Sequence, residues 1–147
     1  VIARPLGKLT MVNCASPHYL TRFGYPQSPD DLTSHAIVRY TPHLGVHPLG
    51  FEVASVNGVQ WFKSGGMLTV NSRENYLAAG LAGLGIIQIP RIAVREALRA
   101  GRLIEVLPGY RAEPLSLSLV YPQRRELSRR VNLFMQWLAG VMKEYLD

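Results

Sequence analysis

Apolar residues along this chain recur in two rhythms, and the switches between them mark its elements. Leu9-Thr-Met-Val-Asn-Cys-Ala15 reads as a strand running into Ser16-Pro17. Serine at an N-cap and proline at the first helical position start a helix there. That helix is expected to reach Phe23, with Gly24 as its left-handed stop. Ser28-Pro29-Asp30-Asp31 repeats the device, its acids placed at the positive end of the dipole. Ala36 to Thr41 predicts a strand, and Phe51–Ser55 with Val59–Lys63 around Asn57-Gly58 predict a hairpin. Met67 to Val70 predicts a short strand before a helix capped by Asn71, with Glu74 three residues on.

Leu77, Leu81 and Leu84 then follow at i, i+4 and i+7 on one helical face, and Ile86 to Ile89 is a strand stopped by Pro90. Arg91 to Ala100 is a helix ending at Gly101, with Ala93/Ala97 and Val94/Leu98 at i, i+4, and Leu103 to Leu107 is a strand closed by Pro108-Gly109. Leu115 to Tyr121 alternates with period two. Ser128 caps a long last helix whose stripe is Val131, Phe134, Met135, Leu138, Val141, Met142 and Tyr145. Helices alternating with short strands predict an α/β domain on a largely parallel sheet.

Gly80, Gly83 and Gly85 crowd one turn and raise the question of a phosphate loop. A dinucleotide fingerprint runs strand, G-x-G-x-x-G, helix, so that phosphate meets a helix N-terminus. Here the order is helix, glycines, strand, with spacing G-x-x-G-x-G. The glycines fall at a helix C-terminus, where the dipole repels phosphate. They predict a C-cap at Gly83 or Gly85 and close helix–sheet packing at Gly80.

Composition narrows the class. The 147 residues suit one domain with a real core, and no apolar run approaches the length of a membrane helix. Neither end resembles a signal peptide, so a cytoplasmic protein is expected. The chain starts at Val1 inside an apolar, strand-like segment, which suggests a fragment of a longer protein. The formal charge of +6 favours nucleic acid in principle. The cations are dispersed, however, the densest group being Arg124, Arg125, Arg129 and Arg130, and no aromatics interleave with them. A solvated arginine-rich face is the simpler reading.

Catalytic constellations are missing. There is no G-x-S-x-G, no G-x-x-x-x-G-K-[ST] and no H-E-x-x-H. His43 and His47 stand four apart, yet Pro42, Gly45 and Pro48 exclude a helix between them, so no metal site is expected. Cys14 is the only cysteine and alternates like a small buried residue; His18 lies nearby in sequence, but no third group orients a thiol–imidazole pair. Asp30-Asp31 are dipole partners. What remains is two helix starts directly after strands, at Ser16-Pro17 and Asn71-Ser72, where free N–H groups suit a small carboxylate or similar polar metabolite.

Several blocks together resemble the effector-binding domain of LysR-type transcriptional regulators. They are Ala3 to Gly7, Cys14-Ala-Ser-Pro-His-Tyr-Leu20, Ser28 to His35, Val70-Asn-Ser-Arg-Glu-Asn-Tyr to Ile86, Ile89-Pro90, Gly101 to Pro108 and Val120 to Ser128, in family order and spacing. The resemblance implies a type 2 periplasmic-binding-protein-like fold of two α/β subdomains with an effector cleft between them. Residues 15–111 would form the second, Rossmann-like subdomain complete. Residues 1–14 and 112–147 would be the returning parts of the first. The winged helix-turn-helix that binds DNA in the family would lie outside this chain.

Family cleft positions map onto Asn71, Ser72 and Arg73, and at the crossover onto Ser16 and Pro17. Gly85 is expected near the cleft, mainly as packing. Many relatives carry Asp or Asn where this chain has Ser72, which leaves the effector's charge open. The implied function is sensing a small-molecule effector and modulating DNA binding, without enzymatic activity, cofactor or membrane, as a homo-oligomer. An incomplete first subdomain would expose apolar surface and favour self-association. The alternatives are a fragment of a solute-binding protein or a basic nucleic-acid-binding module.

Overall fold

A computed structural model describes residues 1–43, 45–46, 50–66, 68–123 and 127–146. The chain divides into two compact units, Val1–Thr10 with Pro114–Asp147, and Met11–Glu113.

The smaller unit is a ribbon and a helix. β1 (Ile2–Leu9) pairs antiparallel with β9 (Leu115–Tyr121), with a register shift between Pro5 and Gly7. α4 (Arg129–Met142) starts as predicted, the Ser128 hydroxyl accepting from the Val131 N–H. Its predicted stripe is not covered. Met135 alone is buried, while Phe134 and Trp137 are 56% and 60% exposed. Two strands offer too little surface to bury such a face. Arg124 and Arg125 lie outside the described residues.

The larger unit is built around β2 (Met11–Ala15). This strand pairs antiparallel on one side with β7 (Ile87–Pro90) and on the other with β8 (Ile104–Val106). β3 (Arg39–Tyr40) pairs in parallel with β6 (Thr69–Val70). An isolated parallel bridge, Ile37 to Ile86, carries β3 alongside β7; the Val38 N–H donates to Ile86 O at 3.0 Å and the Ile86 N–H to Ala36 O at 2.9 Å. The order across the unit is therefore β6-β3-β7-β2-β8, with β2 running against the rest. The expected largely parallel sheet is corrected here, since the central ladder is antiparallel on both sides of β2. The expected strand from Ala36 to Thr41 contracts to β3 and single bridges.

Period-two alternation sorts the strands onto two cores. Val12, Cys14, Ile87 and Ile89 pack with Tyr76 and Ala79 of α2 (Arg73–Leu81) and Val94 and Ala97 of α3 (Arg91–Arg99). Ala15, Ile86 and Val106 pack on the other face with Tyr19 and Leu20 of α1 (Pro17–Phe23), and with Leu32 in a 3-10 helix at Pro29–Ser34. Phe51 and Val53 of β4 (Phe51–Ser55) join that face, in a hairpin with β5 (Gly58–Phe62). Each large aliphatic side chain so buried stabilises the fold by roughly 1.5–3 kcal/mol.

The caps at Ser16 and Gly24 appear as predicted, Gly24 at φ 78°. The cap of α2 is shifted: Ser72, not Asn71, is the N-cap, its hydroxyl accepting from the Asn75 N–H at 3.2 Å. Leu84 is also corrected. The helix ends at Leu81, Gly83 turns at φ +79°, and Leu84 stands 55% exposed. Leu77 and Leu81 do pack on the core. In α3, Val94 and Ala97 are buried as the spacing predicts, while Ala93 faces solvent. Met67, His47 and Pro48 lie outside the described residues.

Two glycines allow close approach. A Cβ on Gly80 would sit 2.6 Å from the Ile87 side chain, and one on Gly85 would sit 2.8 Å from Ala36 O and 3.0 Å from Val38 N. At Gly85 the obstacle is backbone in the β3–β7 junction, which has no rotamer to turn. Gly85→Ala is expected to lower stability by about 2 kcal/mol in urea unfolding. Gly109→Ala, with nothing within 4 Å of its Cβ, should change it by less than about 0.5 kcal/mol. Equal effects would contradict this packing.

Candidate functional site

Because β2 runs against its neighbours, the two ends of the sheet differ chemically. At one end, Cys14 faces Ile87 and Ala15 faces Ile104, so the exit of β2 lies beside the entries of β7 and β8. Ser16, Pro17 and Gly85 belong to this end. Ser16 is 3% exposed, and its hydroxyl already accepts from the Tyr19 N–H at 3.1 Å. Gly83 closes over it, since a Cβ there would stand 3.0 Å from Ser16 Oγ and 3.1 Å from the His18 ring.

At the other end, Met11 faces Pro90, Asn13 faces Val106 and Tyr40 faces Val70. Here β3, β6, β7 and β8 all finish, and Asn71, Ser72 and Arg73 follow β6 directly. The structure therefore separates the predicted set. Asn71, Ser72 and Arg73 sit together at the carboxyl end, whereas Ser16, Pro17 and Gly85 sit at the opposite end, capped and packed. Grouping them required Ser16-Pro17 to follow a strand parallel to β6, and β2 is the one strand that is reversed.

The carboxyl end holds groups that sequence reasoning passed over. The Thr41 N–H donates to Val70 O at 3.0 Å, and its buried hydroxyl donates to His43 O at 2.8 Å. Arg91 opens α3 directly after β7. The first-turn N–H groups of Arg73 and Glu74 have no acceptor within their own helix. Beneath this end lies a partly buried amide network, with Asn13 fully buried. The Gln88 carboxamide donates to Asn13 Oδ1 at 2.9 Å and to Glu52 O at 2.8 Å, and accepts from the Glu52 N–H at 3.0 Å. Asn13 Nδ2 donates to Tyr110 O at 2.9 Å and Leu107 O at 3.3 Å. The Gln88 N–H donates to the Tyr76 hydroxyl at 2.7 Å, and burial pushes that phenol well above its usual range. An amide inside Ile-Ile-Gln-Ile and another inside Val-Asn-Cys were the available signals, polar residues in otherwise buried strands.

Glu105 carries the charge balance near this end. Arg111 Nη2 and Nε reach Glu105 Oε1 at 2.7 and 2.9 Å, and Arg91 approaches Oε2 at 3.7 Å. Elsewhere Asp31, Tyr19 and His35 have structural partners. The Asp31 carboxylate accepts from the Gln27 and Ser28 N–H groups, which holds it below the usual carboxylate range. The Tyr19 hydroxyl accepts from the Ala36 N–H at 2.9 Å and is hydrogen-bonded to His35 Nδ1 at 2.8 Å. Burial lowers the pKa of His35, against the pull of the nearby Asp31 carboxylate.

His43 is exposed, and His47 lies outside the described residues. Among the described residues no group of three or more His, Cys, Asp or Glu is placed to hold a metal ion, and no helix is long and apolar enough to cross a membrane.

The LysR substrate binding domain family matches residues 1–143. An HTH-type transcriptional regulator of Escherichia coli K12, YhjC, is 99% identical over 100% of this chain and 49% of its own length. An HTH-type transcriptional regulator of Haemophilus influenzae is 35% identical over 89% of this chain and 45% of its own. The chain thus spans about half the length of the curated relatives it matches. Among solved structures, full-length AphB, the virulence activator of Vibrio cholerae, superposes with TM-score 0.80 at 25% identity, covering 96% of this chain and 48% of that one. The regulatory domain of CrgA from Neisseria meningitidis gives 0.79 at 25% identity, covering 95% and 68%.

Cys14 is fully buried, and burial, reinforced by Glu105, pushes its thiol up to about 12. At pH 8 the thiol therefore stays protonated, which leaves too little thiolate for a nucleophile. A thiol-reactive dye at pH 8 is expected to label the native chain only at its global unfolding rate. Rapid stoichiometric labelling without denaturant would contradict this burial.

Proposed function

The chain belongs to the LysR substrate-binding domain family, and on that premise we propose that it senses a small polar metabolite at the carboxyl end of the β6-β3-β7-β2-β8 sheet. The α/β architecture is the periplasmic-binding-protein-like one of LysR regulatory domains. The observation that carries the reading is the convergence of Asn71, Ser72 and Arg73 at the end where four strands finish. In α/β sheets this is where ligands bind, because free N–H groups and positive helix ends point there.

Each group has a role in the proposal. The Arg73 and Glu74 N–H groups donate to an anionic or carbonyl oxygen, and a carboxylate is the effector class that suits them best. The Asn71 amide fixes the orientation of that group, and Thr41 flanks it. The Gln88–Asn13 network keeps the floor rigid, so that binding energy is not spent on ordering it. Effector binding then biases a two-state equilibrium of the full-length regulator, by no more than the difference in affinity for its two states. DNA contact belongs to the helix-turn-helix for which the longer relatives are named, and self-association belongs to the apolar face left open on α4.

The test is a thermal-shift screen of small metabolites on the full-length form of the 99%-identical relative. An effector at 100 times Kd is expected to stabilise by about 2.7 kcal/mol. Asn71→Ala should weaken it at least about tenfold, the loss of one to two charge-assisted hydrogen bonds. Ser16→Ala should leave affinity unchanged. The reverse pattern would overturn the proposal.

A further inference from the structure

Asn57 lies at the tip of the β4–β5 hairpin, in the two-residue turn that joins Ser55 to its ladder partner Gly58. Neither the two cores nor the carboxyl end of the sheet uses it. The tip is open to solvent. Val56 is 102% exposed, Asn57 is exposed, and nothing lies within 4 Å of a Cβ built on Gly58. Side-chain bonding in the turn runs through Ser55, whose hydroxyl accepts from the Asn57 N–H at 3.3 Å and donates to Gly58 O at 2.8 Å. Both bonds hold backbone. The Asn57 carboxamide itself has no hydrogen-bond partner among the described residues.

An unpartnered carboxamide before glycine has a definite chemistry. The side-chain carbonyl carbon of asparagine is an electrophile, and the amide nitrogen of the next residue closes a five-membered ring on it. A side chain on that next residue crowds the approach and stiffens the backbone, and glycine has none. The chain's other four asparagines each lack one of these conditions. Asn13 is fully buried, with its amide bonded to Gln88, Leu107 and Tyr110. Asn75 and Asn132 lie inside α2 and α4, where helical backbone ties up the nitrogen that follows; the Tyr76 N–H donates to Ser72 O at 3.0 Å. Asn71 is as open as Asn57, but the residue after it is Ser72, whose side chain caps α2.

We propose that Asn57 is a modification site, at which the folded protein deamidates through a cyclic imide. The Gly58 nitrogen attacks Asn57 Cγ and gives its proton to water, while the bond from Cγ to the side-chain nitrogen breaks and ammonia leaves. Water then opens the ring. Breaking the bond from the Gly58 nitrogen to Cγ gives aspartate. Breaking its bond to the main-chain carbonyl carbon routes the chain through Cγ and gives isoaspartate. Either product replaces a neutral amide with a carboxylate. Isoaspartate also adds one carbon to the main chain within a turn of two residues, so Ser55 and Gly58 no longer meet in register. The disturbance stays at the tip, because Gln88 grips both the N–H and the carbonyl of Glu52 at the other end of β4. None of this depends on an effector.

The test incubates the 147-residue chain at pH 8 and 37 °C, in buffer and in urea, and then digests it with trypsin. Residues 40–63 and residues 64–73 form peptides with Asn57 and Asn71 as their single asparagines. The 40–63 peptide is expected to become heavier by about 1 Da as NH2 is replaced by OH, with isoaspartate the larger product. In buffer, Asn57 should react at least about tenfold faster than Asn71. Asn57→Gln, which would have to close a six-membered ring, should abolish the reaction at this position. Deuterium uptake across residues 54–59 should rise in the isoaspartate fraction but not in Asn57→Asp, which carries the charge without the extra carbon. A rate in buffer below about a hundredth of that in urea would show that the fold protects Asn57, and would overturn the proposal. So would equal rates at Asn57 and Asn71, or aspartate as the sole product. Equal uptake in the isoaspartate fraction and Asn57→Asp would overturn the effect on the hairpin.

Discussion

The reversed strand β2, with Asn13 fully buried at its centre, is the constraint on which the larger unit depends. A buried carboxamide without partners costs several kcal/mol, so its position dictates what surrounds it. Asn13 answers with three bonds. Its oxygen takes Gln88 of β7, and its nitrogen takes the carbonyls of Leu107 and Tyr110 beyond β8. Gln88 extends the chain to Glu52, which ties the β4–β5 hairpin to the same end. One polar network thus fixes both ladders of β2, the hairpin and the turn after β8.

Function follows from the direction that this network locks in. With β2 antiparallel to its neighbours, four strands end on one side and a single strand on the other. The four-strand side presents helix starts and free N–H groups, while the side where β2 ends is sealed by the Ser16 cap and by Gly83 and Gly85 against Ser16 and Ala36. Burial of Cys14 and the partnered states of Asp31 and His35 leave those groups to structure.

What was legible in the sequence was local. Ser16, Gly24, Asn57-Gly58, Ser128 and the period-two run Leu115–Tyr121 specify caps, a turn and a strand through near neighbours, and the structure has them there. Gly80 declared close packing because a helix interior otherwise avoids glycine. The strand directions were not legible, because the partners of β2 lie some 75 to 90 residues away and alternation looks alike in either direction. That single ambiguity put Ser16 and Asn71 at the same end. Leu84 followed a helical spacing that Gly83 had already ended, and the Asn71 cap was one residue early because Ser72 caps equally well. The α4 stripe was read correctly as amphipathic, but burial also needs a partner surface, and a two-stranded ribbon does not supply one.

Hydrogen–deuterium exchange on the full-length relative, with and without a confirmed effector, addresses the central claim most directly. The account predicts that protection appears at Thr41–His43, Asn71–Asn75 and Arg91–Ala93, the segments that leave the carboxyl end of the sheet. Protection confined to Ser16–Tyr19 and Gly83–Ile86 would contradict it and move the effector to the opposite end of β2.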